Sequence, residues 1–201
     1  MKKSFAIMLG VALLAAGFLA GLRQARAENN EAVALGAKVA DFTLPDTAGK
    51  DHALSALKGK KGTLIFFTTA RCPMVAAYHE RLLKIAQDYP KQGVSVIAIN
   101  SNADETVDQI KQHAADKKLP YIVLRDADNK IANQFDAQVT PETYLLDAAG
   151  KLVYHGGVDD NRAADLVKNS YLRNALDAML AGKPIERAET RSFGCSVKRA
   201  S

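Results

Sequence analysis

The strongest constraint on the fold of this chain comes from one predicted strand. It is apolar along its length and is followed almost directly by a helix. The strand is Thr63-Leu64-Ile65-Phe66-Phe67-Thr68-Thr69, and its lack of alternation predicts burial on both faces. Pro73 suits the first turn of the helix that follows, and Pro90 ends it. Between the two prolines, apolar residues recur at helical spacing: Val75, Tyr78, Leu82, Ile85, Ala86 and Tyr89.

The rest of the chain continues this alternation of strands and helices. The apolar runs predict further strands, and a turn at 148–151 predicts a closing hairpin. A hairpin added to parallel strands gives a mixed sheet, so the fold class is α/β with a central mixed sheet. The expected strands are 94–99, 121–124, 143–147 and 152–155, and the expected helices are 104–117, 130–135 and a last one around 172–180.

The basic charge of the chain is concentrated in its first 27 residues. The formal net charge is +5 over 201 residues, and the four cations Lys2, Lys3, Arg23 and Arg26 account for most of it. A nearly neutral remainder does not have the basic surface of a nucleic-acid-binding protein or of a polybasic membrane-binding protein. We therefore expect no nucleic-acid partner and no membrane contact beyond the leader itself.

The first 27 residues have the pattern of a secretory signal peptide. A short cationic start precedes an apolar run from Phe5 to Leu22, and Ala25-Arg26-Ala27 fits a cleavage site. The alternative is an uncleaved anchor, since the run is close to the shortest length that spans a bilayer. Cleavage after Ala27 predicts a periplasmic protein with a domain at 28–183 and a tail at 184–201, exposed to oxidising chemistry.

Cys72 lies directly before Pro73, at the expected N-terminus of the helix. Unpaired backbone amides and the helix dipole favour an anion there, and Arg71 adds a positive charge nearby. Both effects lower the pKa of a thiol, and the thiolate is the species that attacks disulfides and peroxides. The alternative is an inert buried cysteine, which is the commoner state of a lone cysteine.

Three segments resemble the thioredoxin-like superfamily and, within it, the redoxin group that includes the peroxiredoxins. They are Asp41-Phe42-Thr43-Leu44-Pro45-Asp46 with Gly49-Lys50, the Cys72-Pro73 helix start, and Val139-Thr140-Pro141-Glu142-Thr143-Tyr144-Leu145. The resemblance covers residues 35–183 and implies a thioredoxin-like fold. It also implies a cis Thr140-Pro141 bond beside Cys72, with the backbone of Thr140 pairing with an extended substrate. The alternative for Pro141 is the usual trans bond.

The chain departs from both main patterns of this superfamily. Val75 replaces the second cysteine of Cys-x-x-Cys, so a local disulfide cannot form, and Arg71 replaces the usual aromatic residue. Thr69 matches the threonine that peroxiredoxins carry three residues before the nucleophile, although it also suits a plain strand position. Ile65 stands where their proline is expected. Peroxidase activity is therefore only partly supported.

Cys195 is the one other cysteine, and its segment Phe193-Gly194-Cys195-Ser196-Val197-Lys198 resembles that of a bacterial subgroup with one active-site cysteine and one C-terminal cysteine. Three roles are open: a resolving thiol for Cys72, a structural disulfide, or pairing with another chain. An extended tail is long enough to reach Cys72. We expect the Phe193 ring to dock the tail by becoming buried, and Gly194 to allow a sharp turn.

Taken together, these expectations predict a thiol–disulfide oxidoreductase. Cys72 is the nucleophile and Cys195 the resolving thiol, Thr140 and Pro141 position the substrate, and the thiolate is supported by Thr69, Arg71 and Pro73. The partners are protein or small-molecule disulfides or peroxides and a thiol electron donor. No cofactor is required, and no metal-ligand spacing is visible. The alternatives are a thiol peroxidase and a redox-inert binding module with a structural Cys72–Cys195 disulfide.

Overall fold

The structure is a computed structural model that describes residues 32–200, with the expected apolar strand at its centre. The predicted signal peptide and its cleavage site at Ala27 lie outside the described residues. Within residues 32–200, no helix is both long and apolar enough to cross a membrane.

The central sheet has five strands in the order β5-β4-β3-β7-β8. β3 pairs in parallel with β4 and β4 with β5, whereas β7 is antiparallel to both β3 and β8. The expected mixed sheet and closing hairpin are therefore confirmed. Two small two-stranded sheets, β1-β2 and β6-β9, accompany it. The strands are β1 Thr43–Pro45, β2 Asp51–Ala53, β3 Gly62–Thr68, β4 Val94–Asn100, β5 Ile122–Arg125, β6 Val139–Thr140, β7 Glu142–Asp147, β8 Leu152–Gly156 and β9 Cys195–Ser196.

Five α-helices accompany the sheet in the part of the chain that the structure describes, and local sequence signals explain where two of them begin. Pro73 occupies the first turn of the second helix. Thr106 caps the third helix through a capping box with Gln109, in which each side chain bonds the other residue's backbone amide. The helices are α1 Leu54–Leu57, α2 Pro73–Asp88, α3 Val107–Asp116, α4 Lys130–Gln134 and α5 Tyr171–Leu180.

Every residue of β3 is buried, and alternate side chains of the strand enter different cores. Leu64 and Phe66 pack in the core formed with α2, α3 and α5. Ile65 and Phe67 pack in the core formed with α1 and α4. Burial of each such side chain contributes about 1.5–3 kcal/mol, which explains why β3 shows no polar alternation in the sequence.

Candidate functional site

β3 ends at the edge of the sheet where the parallel strands β3, β4 and β5 have their carboxyl ends. A short loop leads from there to Cys72. Cys72 is the N-cap residue of α2, with extended backbone angles, and Pro73 follows in the first turn. The Cys72 carbonyl oxygen accepts the first helical hydrogen bond, from the Ala76 amide at 3.2 Å. The expected position of Cys72 at the helix N-terminus is therefore confirmed. Cys72 is buried, with only 6% of its surface exposed.

The start of α2 provides an electrostatic environment that suits an anion. The helix has no acidic residue in its first turn, and no side chain caps its free amides. The first turn of α2 therefore supplies no carboxylate to compensate the positive end of the helix dipole. A thiolate at Cys72 would receive that stabilisation.

Cys72 is bonded to Cys195 across 123 residues of sequence. The two Cα atoms are 6.1 Å apart, within the range normal for a disulfide. The chain has only two cysteines, so neither is a free thiol in this state. Of the three roles open for Cys195, the structure brings its sulfur to Cys72 in the same chain.

The segment around Cys195 is held against the turn that contains Pro141. The Thr140-Pro141 bond is cis, as the resemblance implied. β9 pairs antiparallel with β6, with Cys195 opposite Thr140 and Ser196 opposite Val139. The Thr140 carbonyl oxygen lies 3.5 Å from the Cys72 sulfur. Four of the predicted site residues, Cys72, Cys195, Thr140 and Pro141, therefore come together.

One expectation about the tail was wrong and another was confirmed. The Phe193 ring is 42% exposed and lies under the Arg191 guanidinium, 4.9 Å from its central carbon, so it does not dock the tail by burial. The chain does bend at Gly194, and a Cβ there would overlap the backbone of Thr140, so the glycine also allows close approach. The buried apolar side chain of this segment is Val197.

Thr69 and Arg71 are bound to other groups near the Cys72 loop. The Thr69 hydroxyl donates to the Glu105 carboxylate and accepts a hydrogen bond from the Arg71 amide at 3.2 Å. The Arg71 guanidinium is exposed, donates to Gln109 at 2.9 Å and lies 3.9 Å from Asp104. Their predicted support of the thiolate remains a prediction.

Glu105 is the residue near the site that the sequence analysis missed. It is buried, and its carboxylate accepts hydrogen bonds from the backbone amides of Ala70 and Arg71, both at 3.1 Å, and from the Asn100 side chain at 2.6 Å. With the Thr69 hydroxyl it fixes the whole loop that precedes Cys72. The sequence did contain a signal for Glu105. Because β3 and β4 are parallel, the residues that follow these two strands must meet at one edge of the sheet.

Glu142 fixes the other side of the site, next to Pro141. One carboxylate oxygen accepts from the amides of Gln138 at 2.7 Å and Val139 at 3.1 Å, and the other lies 2.7 Å from His155 Nε2. Burial raises the pKa of Glu142, but the His155 side chain and the two amides outweigh burial, so its pKa lies below the usual value. An ionised Glu142 therefore holds β6 in place.

Within residues 32–200, no group of three or more His, Cys, Asp or Glu side chains is arranged to hold a metal ion. The paired sulfur atoms of Cys72 and Cys195 have a redox chemistry of their own. A disulfide at a helix N-terminus can be opened by a thiol and re-formed by an oxidant.

Comparisons with known proteins agree with this geometry. Residues 34–176 match the redoxin family. The thiol-disulfide oxidoreductase ResA of Geobacillus thermodenitrificans is 31% identical over 123 residues, which are 60% of this chain and 68% of that protein. The crystal structure of a hypothetical protein from Sinorhizobium meliloti 1021 is 35% identical, with a TM-score of 0.77, covering 85% of this chain and 97% of that one.

A more distant structure supports the fold alone. The thioredoxin domain of a thiol-disulfide oxidoreductase from Bacteroides vulgatus is 21% identical, with a TM-score of 0.54, covering 62% of this chain and 89% of that one. The matched redoxin region includes the Cys72 helix start and the Thr140-Pro141 turn. The chain therefore belongs to the redoxin family and has a thioredoxin-like fold.

Proposed function

We propose that this protein is an exported thiol–disulfide oxidoreductase in which Cys72 is the nucleophile and Cys195 the resolving thiol. The observation that carries the proposal is the Cys72–Cys195 bond at the N-terminus of α2, beside Thr140 and the cis Pro141. The similarity to a protein named as a thiol-disulfide oxidoreductase supports the same chemistry.

The reaction begins from the reduced protein. The Cys72 thiolate attacks one sulfur of a substrate disulfide, the substrate S–S bond breaks, and the leaving thiolate takes up a proton. The Cys195 thiolate then attacks the Cys72 sulfur and releases the second substrate thiol. The substrate gains two electrons and two protons, and the protein acquires its Cys72–Cys195 bond. A dithiol donor reverses that last change and is itself oxidised to a disulfide.

Cysteine variants test this order of attack. In Cys195→Ser, Cys72 should accumulate a mixed disulfide with the substrate, because the resolving thiol is gone. In Cys72→Ser, turnover and the mixed disulfide should both disappear. Mass spectrometry of the quenched reaction identifies the bonded cysteine, and circular dichroism confirms that each variant is folded. A mixed disulfide found mainly on Cys195 in Cys72→Ser would overturn the assignment.

The titration of Cys72 tests the electrostatic part of the proposal. In Cys195→Ser, the rate of alkylation of Cys72 should rise with pH and level off with a midpoint below about 8.5, the value of free cysteine. The free amides of α2 lower the midpoint, while the nearby Thr140 carbonyl oxygen, which can accept from the protonated thiol, limits the shift. A midpoint at or above that of free cysteine contradicts the nucleophilic role.

The same assays distinguish the two other functions. A thiol peroxidase would consume peroxide with the thiol donor faster than it exchanges disulfides. A redox-inert module would resist mild reductant, so that neither sulfur could be alkylated until the protein was denatured. The Thr69 hydroxyl donates its one proton to Glu105, so that proton is not available to a bound peroxide, and Thr69 gives the peroxidase no support.

Export rests on the leader sequence. Lys2, Lys3, the apolar run and Ala25-Arg26-Ala27 form the pattern of a cleaved secretory signal. Cell fractionation with sequencing of the mature N-terminus should place the protein in the periplasm, beginning at Glu28. A cytoplasmic protein that retains Met1 would contradict export.

A further inference from the structure

We infer that the segment from Ala188 to Ala200, called the strap below, stays docked when the Cys72–Cys195 bond is reduced and thereby restricts the site to small disulfides. This inference rests on the proposed function and names its substrate class. Reduction removes one covalent bond, whereas the strap has independent anchors on both sides of Cys195.

The first anchor lies before Cys195, along β8. The Ala188 carbonyl oxygen accepts from the His155 amide at 2.9 Å, and the Thr190 amide donates to the His155 carbonyl oxygen at 3.0 Å. The Thr190 hydroxyl accepts from the Gly157 amide at 3.1 Å and shares a 2.7 Å hydrogen bond with the buried Tyr154 hydroxyl. A Cβ at Gly156 would overlap Thr190, so β8 is shaped to admit the strap.

The second anchor follows Cys195 and includes a buried apolar side chain. Val197 is 7% exposed and packs in the core beneath α4, and its amide donates to the Gln138 carbonyl oxygen at 2.9 Å. The Lys198 amide donates to Asn102 Oδ1 at 2.9 Å, and the Lys198 carbonyl oxygen accepts from the Ala103 amide at 2.8 Å. The Ala200 amide donates to Asn129 Oδ1 at 2.7 Å.

Between the anchors the strap occupies the strand edge at Thr140. Cys195 and Ser196 form β9 on β6, and Gly194 lies against the Thr140 backbone. A substrate polypeptide that pairs with the same edge must displace β9, because one edge holds one strand. While both anchors hold, an extended polypeptide is excluded from this edge.

A small disulfide does not need that edge. The anchors enclose only residues 191–196, and within them Arg191, Phe193 and Ser196 are exposed. These residues can move as a short loop with Thr190 and Val197 as fixed ends. Such a local opening of six residues between fixed ends uncovers Cys72 for a small molecule but leaves no room along the edge for an extended polypeptide. It also keeps Cys195 close by, so that resolution follows at high effective concentration.

The test compares a small and a polypeptide disulfide on the full mature chain. Oxidised glutathione and insulin are the two substrates, with dithiothreitol as the electron donor. Val197→Asp introduces a charge into the core and releases the second anchor, and both cysteines remain. Leu166→Asp is the matched control, because it exchanges an aliphatic side chain for the same charge at an exposed position outside the strap.

Wild type and Leu166→Asp should turn over glutathione disulfide and reduce insulin slowly. Val197→Asp should raise kcat/KM for insulin by about tenfold or more and change that for glutathione disulfide by less than about threefold. If the ratio of kcat/KM for insulin to kcat/KM for glutathione disulfide is the same in Val197→Asp as in wild type, the inference is overturned. If Val197→Asp does not fold, Thr190→Val replaces it. This variant weakens the first anchor by removing its side-chain hydrogen bonds to Tyr154 and Gly157, and it should shift the ratio of the two kcat/KM values in the same direction.

Hydrogen exchange of the wild-type protein gives a readout that is independent of activity. The amides of Thr190, Val197 and Lys198 should keep their protection within about threefold after reduction. A loss of protection of about a hundredfold or more shows that the strap leaves and overturns the inference. If wild type turns over neither substrate, the proposed function fails, and the exchange measurement still decides whether the strap stays docked.

Discussion

At the scale of single residues, Glu105 shows how one buried carboxylate can fix a reactive loop. Four donors from Thr69, Ala70, Arg71 and Asn100 converge on it. Each donor alone is weakly stabilising, but removing a charged acceptor leaves several of them buried without a partner. The geometry of the Cys72 loop therefore depends on a residue that follows a different strand.

Replacing Glu105 by Gln should lower the free energy of unfolding by about 1–3 kcal/mol, because an amide presents donors to the existing donors. Urea denaturation measures this change. Asp104→Asn is the matched control, since it removes the same charge from a neighbouring exposed side chain that makes one long ion pair, and it should change stability by less than about 0.5 kcal/mol. Equal effects of the two substitutions would show that charge, not buried bonding, is responsible.

At the scale of elements, the sequence predicted the strands of the central sheet and the helices α2 to α5 but missed the two-residue strands β6 and β9. β3, β4 and α2 have long apolar patterns, and their predicted bounds differ from the observed ones by one or two residues. β6 and β9 contain two residues each, too few for any periodicity, and their pairing joins distant parts of the chain. The prediction that Phe193 is buried failed for a related reason. A short segment has no periodicity to show which of its apolar residues, Phe193 or Val197, faces the core.

The turn held by Glu142 should respond to acid. Because the pKa of Glu142 is lowered in the folded state, its ionised form stabilises that state above the ordinary glutamate pKa of about 4.3. This contribution is lost as the pH falls through the lower pKa of the folded protein. Glu142→Gln should therefore be about 1–3 kcal/mol less stable than wild type at pH 7, and the difference should shrink below about pH 4.

Urea denaturation at several pH values measures this dependence. Glu189→Gln, at an exposed position, serves as the control and should follow wild type throughout. A stability difference for Glu142→Gln that stays constant from pH 7 to strongly acidic solution would contradict the ionised contact with Gln138, Val139 and His155.

At the scale of the whole molecule, the disulfide closes a loop that contains most of the domain. In the chain-entropy model, a separation of 123 residues stabilises the folded state by about 5 kcal/mol. Adding reductant should lower the free energy of unfolding of wild type by up to about this amount. Cys195→Ser should be insensitive to reductant, and a wild-type protein equally insensitive would show that the bond is absent in solution.

The position of Cys195 in the chain also bears on biosynthesis. Every strand of the central sheet precedes it, so these strands are synthesised before the partner of Cys72 exists. A chain that stops short of residue 195 must carry Cys72 without this partner. The covalent ring therefore marks chains whose synthesis has passed residue 195, and free-thiol labelling should distinguish them from shorter chains.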